Sequence, residues 1–184
     1  MPNIYKAIRD AMVSCLADGT TGFNAQLDDI ASAYGITSFA IDWTSDSRNF
    51  VQAYLDPEML DVSRVCEFPA AVLYLAEAVN ERREKYRSFS GQVLGHLDFY
   101  LRYRLLKDPQ TAGNDTPPSN DDYESAADAV ADAAMESFID GAATLRAAGA
   151  LWSKEYRIDR DPVQLFGDGH GQRIAITLGF DRHI

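Results

Sequence analysis

VLGHLDFYLRYRL, residues 93–105, decides the fold of this 184-residue chain, because its apolar and polar residues alternate. Successive side chains of a β-strand point to opposite faces, so an alternation of period two predicts a strand with one apolar and one polar face. We therefore expect a long strand that packs one face against the core. Its apolar residues are Val93, Leu97, Phe99, Leu101, Tyr103 and Leu105, and its polar residues are His96, Asp98, Arg102 and Arg104.

Further strands are predicted on both sides of this stretch. FPAAVLYL (68–75) is a short apolar run that predicts a buried strand to about Leu75; a helix start is the alternative, since residues 76–83 are good helix formers. ITSFAIDWT (36–44) also has a strand-like alternation. Turn-forming residues at 161–162 and 167–171 predict that the last two strands pair antiparallel. The last strand alternates apolar Ile174, Ile176, Leu178 and Phe180 with Arg173, Ala175, Thr177 and Gly179.

Apolar residues three and four positions apart predict helices over about 3–17, 23–34 and 121–139, and a shorter helix between Gly141 and Gly149. Gly19 is expected to end the first helix in a left-handed conformation. Together these elements predict an α/β (α+β) fold in one domain, 1–184, with helices packed against a mixed or mostly antiparallel sheet. Residues 80–91 and 107–120 are predicted to be flexible insertions, the second because it contains three of the seven prolines.

The net charge is −11, from 28 acidic and 17 basic residues, which argues against wrapping nucleic acid by neutralising its phosphates. No apolar run reaches about 18 residues, and residues 1–19 lack the apolar core of a signal peptide. We therefore expect neither membrane insertion nor secretion. Cys15 and Cys66 lack the spacing of a thiolate metal site, and Cys15 is expected to be a small buried residue on the first helix.

Few residues carry the pattern of a catalytic site. His96 and Asp98 share one strand face, as a metal-binding pair, a histidine with an orienting carboxylate, or an ordinary solvent-facing strand would. GDGHG (167–171) precedes a strand and not a helix, which favours a tight turn over a phosphate-binding loop. Motifs with a nucleophilic serine or a nucleotide-binding lysine are absent from the sequence. The sequence therefore predicts no catalytic residue, no cofactor and no resident metal.

The charges are segregated along the chain. Residues 108–140 contain nine acidic residues and no basic one, and Asp128, Asp132 and Glu136 fall on the outer face of the predicted helix. Two solvated faces are one interpretation of this segregation. The other is a contact in which the basic patch of one copy meets the acidic patch of the next. The basic residues are Arg82, Arg83, Lys85, Arg87, Arg102, Arg104 and Lys107.

The order of elements resembles that of the tail terminator, or tail-completion, proteins of tailed bacteriophages. The resemblance rests on an amphipathic helix, FPAAVLYL, the charged excursion NERREKYRSFSG (80–91), the long alternating strand, a Pro-rich loop, a helix and a final strand pair ending GDGHGQRIAITLGFDRHI. It implies a homo-hexameric ring that ends polymerisation of the tail tube and meets the head-side connector. DNA would pass through an acidic lumen without specific binding. The protein would be made in the host cytoplasm and reside in the virion; residues 36–66 depart from the pattern.

Two other functions remain open from the residues alone. An acidic binding module or inhibitor would mask a basic partner protein with the face of Asp128, Asp132 and Glu136. A small hydrolase would use His96 with Asp98 as its orienting carboxylate, or a metal bound by that pair.

Overall fold

The computed structural model describes residues 4–35, 50–51, 70–83, 88–103, 120–162, 164–166 and 169–183. These residues form four helices and one six-stranded sheet. The helices are α1 (Ile4–Leu16), α2 (Phe23–Ala33), α3 (Asn120–Asp140) and α4 (Ala142–Ala147). The strands are β1 (Phe50–Val51), β2 (Ala70–Arg83), β3 (Ser88–Tyr103), β4 (Leu151–Arg160), β5 (Gln164–Phe166) and β6 (Gly169–His183).

The sheet has the order β1-β2-β3-β6-β4, with β5 also paired to β6. All pairings are antiparallel except that of β1 with β2, so the predicted α+β fold with a mostly antiparallel sheet is confirmed. The long alternating stretch forms β3, which lies between β2 and β6. The predicted antiparallel pairing near the C-terminus is confirmed by β4 and β5, which both pair with β6.

The helices cover one face of the sheet. The odd residues of β3 and the even residues of β6 point to that side, where they pack with α1 and α3 in a single core cluster. α1 packs tightly against Gly95 of β3, where a Cβ would lie 2.8 Å from Sδ of Met12. The period-two pattern of the sequence therefore identified the core face of both strands. The buried residues of this face in β3 and β6 are Val93, Leu97, Phe99, Leu101, Ile174, Ile176, Leu178 and Phe180.

The helices agree with the predicted segments, but one predicted cap is wrong. Gly35 follows α2 with a φ of 72°, the left-handed conformation that glycine adopts without strain. Gly19, expected to play this part after α1, does not have a positive φ. Instead, the carboxylate of Asp18 accepts hydrogen bonds from the backbone N–H groups of Thr20 and Thr21 at 2.8 and 2.9 Å. A side chain therefore turns the chain where a glycine was expected to do so.

β2 is longer than the sequence predicts. It was expected to end near Leu75, but its pairing with β3 continues to Arg83, which lies opposite Ser88. Residues 80–83 and 88–91, expected in a flexible insertion, are therefore strand residues of a long hairpin. Pairing with β3 outweighs the helix propensity of residues 76–83, with one register shift between Ala76 and Ala78. Residues 84–87, 36–44 and 107–119 lie outside the described residues.

The described helices include none that is both long and apolar enough to span a membrane.

Candidate functional site

The outer face of α3 carries a stripe of five carboxylates at every fourth position. We call these residues the acidic stripe: Glu124, Asp128, Asp132, Glu136 and Asp140. Residues four apart are neighbours on a helix surface, so each carboxylate lies next to the following one in a stripe that winds slowly around α3. The opposite side of α3 is largely alanine and is buried, which brings the helix close to its neighbours and leaves the stripe at the surface.

Neighbouring elements contact the acidic stripe at three levels. Arg160, at the end of β4, forms ion pairs with Asp128 and with Glu124, the latter at 3.6 Å. The hydroxyl of Tyr34 donates to Oδ2 of Asp132 at 2.7 Å. Near the end of α3, Nε2 of Gln26 donates to Oδ2 of Asp140 at 2.9 Å.

The structure therefore places the predicted interface residues Asp128, Asp132 and Glu136 together. It also assigns Asp128 and Asp132 to contacts within the chain, which the sequence did not predict. Glu136 is exposed, and Asp28 and Asp29 of the adjacent α2 are exposed as well. The surface formed by α2 and α3 is strongly negative at neutral pH.

Three of the predicted basic residues lie in described strands, at two separate places in the sheet. Arg82 and Arg83 lie at the end of β2, opposite Phe89 and Ser88. Arg102 lies near the other end of β3, opposite Gly171. At about 3.3 Å per residue, the strand positions of Phe89 and Arg102 are roughly 40 Å apart. The extended hairpin therefore separates the strand positions of Arg82 and Arg83 from that of Arg102, although the sequence places them close together. Lys85, Arg87 and Arg104 lie outside the described residues.

A second polar cluster lies on the sheet face opposite the helices, around Asp98 of β3. Arg173 of β6 donates to Oδ2 of Asp98 from Nε at 3.1 Å and from Nη2 at 2.8 Å. The hydroxyl of Tyr74 donates to the same oxygen at 3.4 Å. Asp98 is only 3% exposed, although it occupies the polar face of its strand. Its other oxygen, Oδ1, accepts no hydrogen bond from the part of the chain that the structure describes.

His96 belongs to the same cluster but does not pair with Asp98. Its Nδ1 lies 3.1 Å from the hydroxyl oxygen of Thr177, and its ring stacks on Tyr74 with centroids 4.9 Å apart. Burial lowers the pKa of His96 below its usual 6.5; the charge of Asp98 opposes this shift and that of Arg173 adds to it. Asp98 therefore orients an arginine, and the histidine with an orienting carboxylate that a hydrolase would need is not formed.

The charges of the cluster stabilise one another. Burial alone would lower the pKa of Arg173, but its hydrogen bonds to Asp98 and the charge of that carboxylate raise it above the usual value. Burial, with the nearby charge of Asp98, raises the pKa of Tyr100. Among the described residues, no group of three or more His, Cys, Asp or Glu side chains is placed to hold a metal ion. The half-buried ion pair of Asp98 with Arg173 links β3 to β6, and the hydrogen bond from Tyr74 links β2 to the same carboxylate.

Cys15 is buried, as predicted from its position on the apolar face of α1. Its Sγ donates to the carbonyl oxygen of Gly141 at 3.4 Å. Burial, with the charge of Asp18, raises the pKa of the thiol to about 11. At neutral pH the group is therefore protonated, and it packs as a small apolar residue between α1 and the turn after α3.

Sequence reasoning missed the partners of the carboxylates in these two clusters, among them Arg173, Arg160 and Tyr34. The alternation in β6 puts Arg173 on the polar face, but its contact with Asp98 depends on the register of two strands far apart in sequence. Arg160 and Tyr34 meet α3 through tertiary packing, for which the sequence has no local signal. No protein-family model matches the chain, and no curated protein matches it either.

Proposed function

We propose that this chain is a structural virion protein that forms a homo-hexameric ring at the end of a phage tail tube. The acidic stripe of α3 is the observation that carries the proposal. It carries five carboxylates on the outer side of α3, of which Glu124, Glu136 and Asp140 are exposed and Asp128 and Asp132 are half-buried. Arg160 pairs with two of the five. A surface of this kind is suited to a basic surface on a neighbouring molecule.

The same chain carries basic residues at a different place. Arg82 and Arg83 end β2, and the sequence that follows adds Lys85 and Arg87. In a head-to-tail contact, one surface of a copy meets a different surface of the next copy. Successive copies are then related by a rotation, and they form a ring when repeating this rotation returns to the first copy. The α+β fold and its long β2–β3 hairpin agree with the architecture that the resemblance to tail terminators implies.

In this proposal the ring stops polymerisation of the tube and offers its other side to the head-side connector. The tube protein and the connector protein are its partners, and DNA passes through the lumen. With a net charge of −11, the chain repels the phosphates of a passing duplex, so the DNA does not adhere to the ring wall.

Electron microscopy of negatively stained particles tests the proposal. We expect rings in the purified protein at high concentration, or density for the chain at the head-proximal end of isolated tubes. Light scattering after size-exclusion chromatography measures the number of copies. Absence of the chain from tube ends, together with a monomer at every concentration, would refute the proposal.

An acidic binding module is the second candidate, and the exposure of Glu136 on α3 and of Asp28 and Asp29 on the neighbouring α2 favours it. Such a module binds one basic protein rapidly, with an association rate that falls steeply as salt increases. Isothermal titration with the isolated tube and connector proteins separates the two functions. A ring protein binds them, whereas an inhibitor binds neither and remains a monomer.

A further inference from the structure

β4 is an exposed edge of the sheet. Its residues Tyr156–Arg160 pair with Leu178–Ile174 of β6 without a register shift, and no other strand of the described residues pairs with them. Tyr156 is 57% exposed, and the side chain of Arg157 is 76% exposed. Free backbone N–H and C=O groups along such an edge can pair with a strand of another molecule.

The backbone groups that point outwards from this edge follow from one hydrogen bond. The N–H of Asp161 donates to the carbonyl oxygen of Arg173 in β6 at 2.9 Å, in the register of the ladder. In an antiparallel pair, every second residue bonds to the neighbouring strand, and the residues between point away from it. The N–H and C=O groups of Tyr156, Ile158 and Arg160 therefore point away from β6, towards any strand added at the edge.

The regular part of this edge is short and has a defined centre. A register shift interrupts the ladder just before Tyr156, and Pro162, which has no N–H, follows β4. The edge therefore offers residues 156–160, with Ile158 in the middle. When a second copy supplies the added strand, the antiparallel pairing that uses all of these residues places Ile158 opposite Ile158 and Tyr156 opposite Arg160. All the outward backbone groups then form hydrogen bonds.

The charges of β4 complement one another in this register. Arg157 of each copy lies opposite Asp159 of the other, and opposite charges at such positions stabilise a sheet. A shift by two residues places Arg157 opposite Arg157 in one direction and Asp159 opposite Asp159 in the other. Like charges directly opposite each other are destabilising. A shift by one residue is excluded, because it would pair outward groups with groups that already bond to β6.

The helix side of the same pairing is also favourable. Tyr156 of one copy lies opposite Arg160 of the other, and an aromatic ring attracts a guanidinium group. Arg160 also pairs with Glu124 and Asp128 of its own chain, which offsets part of the negative charge beside the junction. The strand that fits this edge in register and charge is therefore β4 itself.

We infer that two copies associate by antiparallel pairing of residues 156–160 of β4, with Ile158 on the two-fold axis, and that this contact joins their sheets. The contact is isologous and closes at two copies, so it goes beyond the proposed ring, whose contact is head-to-tail. Because the edge is short, the interface is small. The dimer is populated at micromolar concentrations and above, and the chain is a monomer at nanomolar concentrations.

Sedimentation of charge variants tests the pairing at about 0.15 M salt, where repulsion between chains of net charge −11 is screened beyond about 8 Å. Arg157→Asp and Asp159→Arg each bring like charges together and should weaken the dimer at least tenfold. In an equimolar mixture of the two variants, every aspartate at these positions lies opposite an arginine. The mixture should therefore dimerise within threefold of the wild type.

The double variant Arg157→Asp with Asp159→Arg restores opposite charges within one chain and should also dimerise within threefold of the wild type. Asp29→Arg makes the same charge change as Asp159→Arg on the exposed surface of α2. This control should change the strength of the dimer less than threefold.

The sedimenting mass separates the two contacts, because the pairing of β4 gives a dimer and the proposed ring is a hexamer. A wild-type protein that forms no dimer up to about 0.1 mM would overturn the pairing of β4. Single variants that dimerise as strongly as the wild type would overturn it as well. Both results leave the proposed function standing, whereas failure to form rings with the dimer intact would refute the proposed function alone.

Discussion

The ion pair of Asp98 with Arg173 shows how much a single residue depends on its neighbours in the fold. Removing a carboxylate from water is unfavourable unless hydrogen bonds and an opposite charge replace the water. The two guanidinium donors supply both. The sequence predicts the strand face of Asp98 correctly, but burial of that face follows from tertiary packing and has no signature in the alternation.

Replacing Asp98 with Asn should destabilise the protein by about 3 kcal/mol, because it removes the carboxylate that accepts both hydrogen bonds of Arg173 and leaves only the 3.7 Å contact with Asp161. The value is at the lower end of the range for buried pairs, since the Arg173 side chain is 34% exposed. Urea denaturation measures the change. Asp159→Asn is the matched control. It breaks the exposed pair with Arg157 and should lower the stability by less than about 1 kcal/mol. Equal losses in the two variants would contradict the account of Asp98.

His96 should make the stability of the protein depend on pH. Its pKa is lower in the folded chain than the usual 6.5, so between these two values the unfolded chain binds more protons. The stabilising contribution is therefore present above about pH 6.5 and is lost as the pH falls towards the pKa of the folded state.

His96→Phe retains a ring beside Tyr74 and removes the titrating group. We expect the wild-type protein to lose more stability than this variant when the pH is lowered from 7.5 to 5.0, as measured by urea denaturation at each pH. Other groups titrate in both proteins, so the difference isolates His96. Parallel losses in the two proteins would show that the pKa of His96 does not change on folding.

At the scale of elements, the sequence predicts a helix or strand correctly where the pattern that forms it is local. The alternation in β3 and β6 and the helical spacing in α1, α2 and α3 are local patterns, and the structure confirms them. The length of β2 is not a local property, because residues 76–83 favour a helix and become strand by pairing with β3. The Gly19 cap failed for a different reason, a local one: the carboxylate of Asp18 accepts from the N–H groups of Thr20 and Thr21 and turns the chain without a positive φ at Gly19.

The junction of α3 with α1 depends on a glycine. A Cβ at Gly141 would lie 2.4 Å from Sγ of Cys15 and 2.8 Å from the carbonyl oxygen of Ser137. Gly141→Ala should therefore force the two elements apart and reduce stability by about 1–3 kcal/mol, the usual effect of overpacking. Thermal denaturation followed by circular dichroism measures it. Gly19→Ala, with no atom within 4 Å of the new Cβ, should be nearly neutral. A neutral Gly141→Ala would mean that α1 and α3 are not packed as described.

At the scale of the whole molecule, the proposed function depends on where charged surfaces lie relative to one another. The sequence predicts the acidic side of α3 because helix geometry aligns residues four apart. It does not predict the separation of Arg102 from Arg82. The two strand positions lie far apart because the β2–β3 hairpin is extended between them. The surfaces that remain are the acidic stripe beside β4 and the arginines at the end of β2, on opposite edges of one sheet.

Mixing two charge-reversed variants measures most directly whether unlike surfaces of neighbouring copies meet. One variant carries Asp132→Lys and Glu136→Lys, and the other carries Arg82→Glu and Arg83→Glu. Alone, each variant brings like charges together at every contact and should remain a monomer in mass photometry. Asp28→Lys with Asp29→Lys makes the same charge change as the first variant on α2, and this control should assemble like the wild type.

In the mixture, the basic helix of one variant meets the acidic strand end of the other, and the remaining two surfaces also have opposite charges. The account predicts that the mixture assembles into the wild-type number of copies, with the two variants in equal amounts. A mixture that stays monomeric, or a single variant that assembles as well as the wild type, would contradict it.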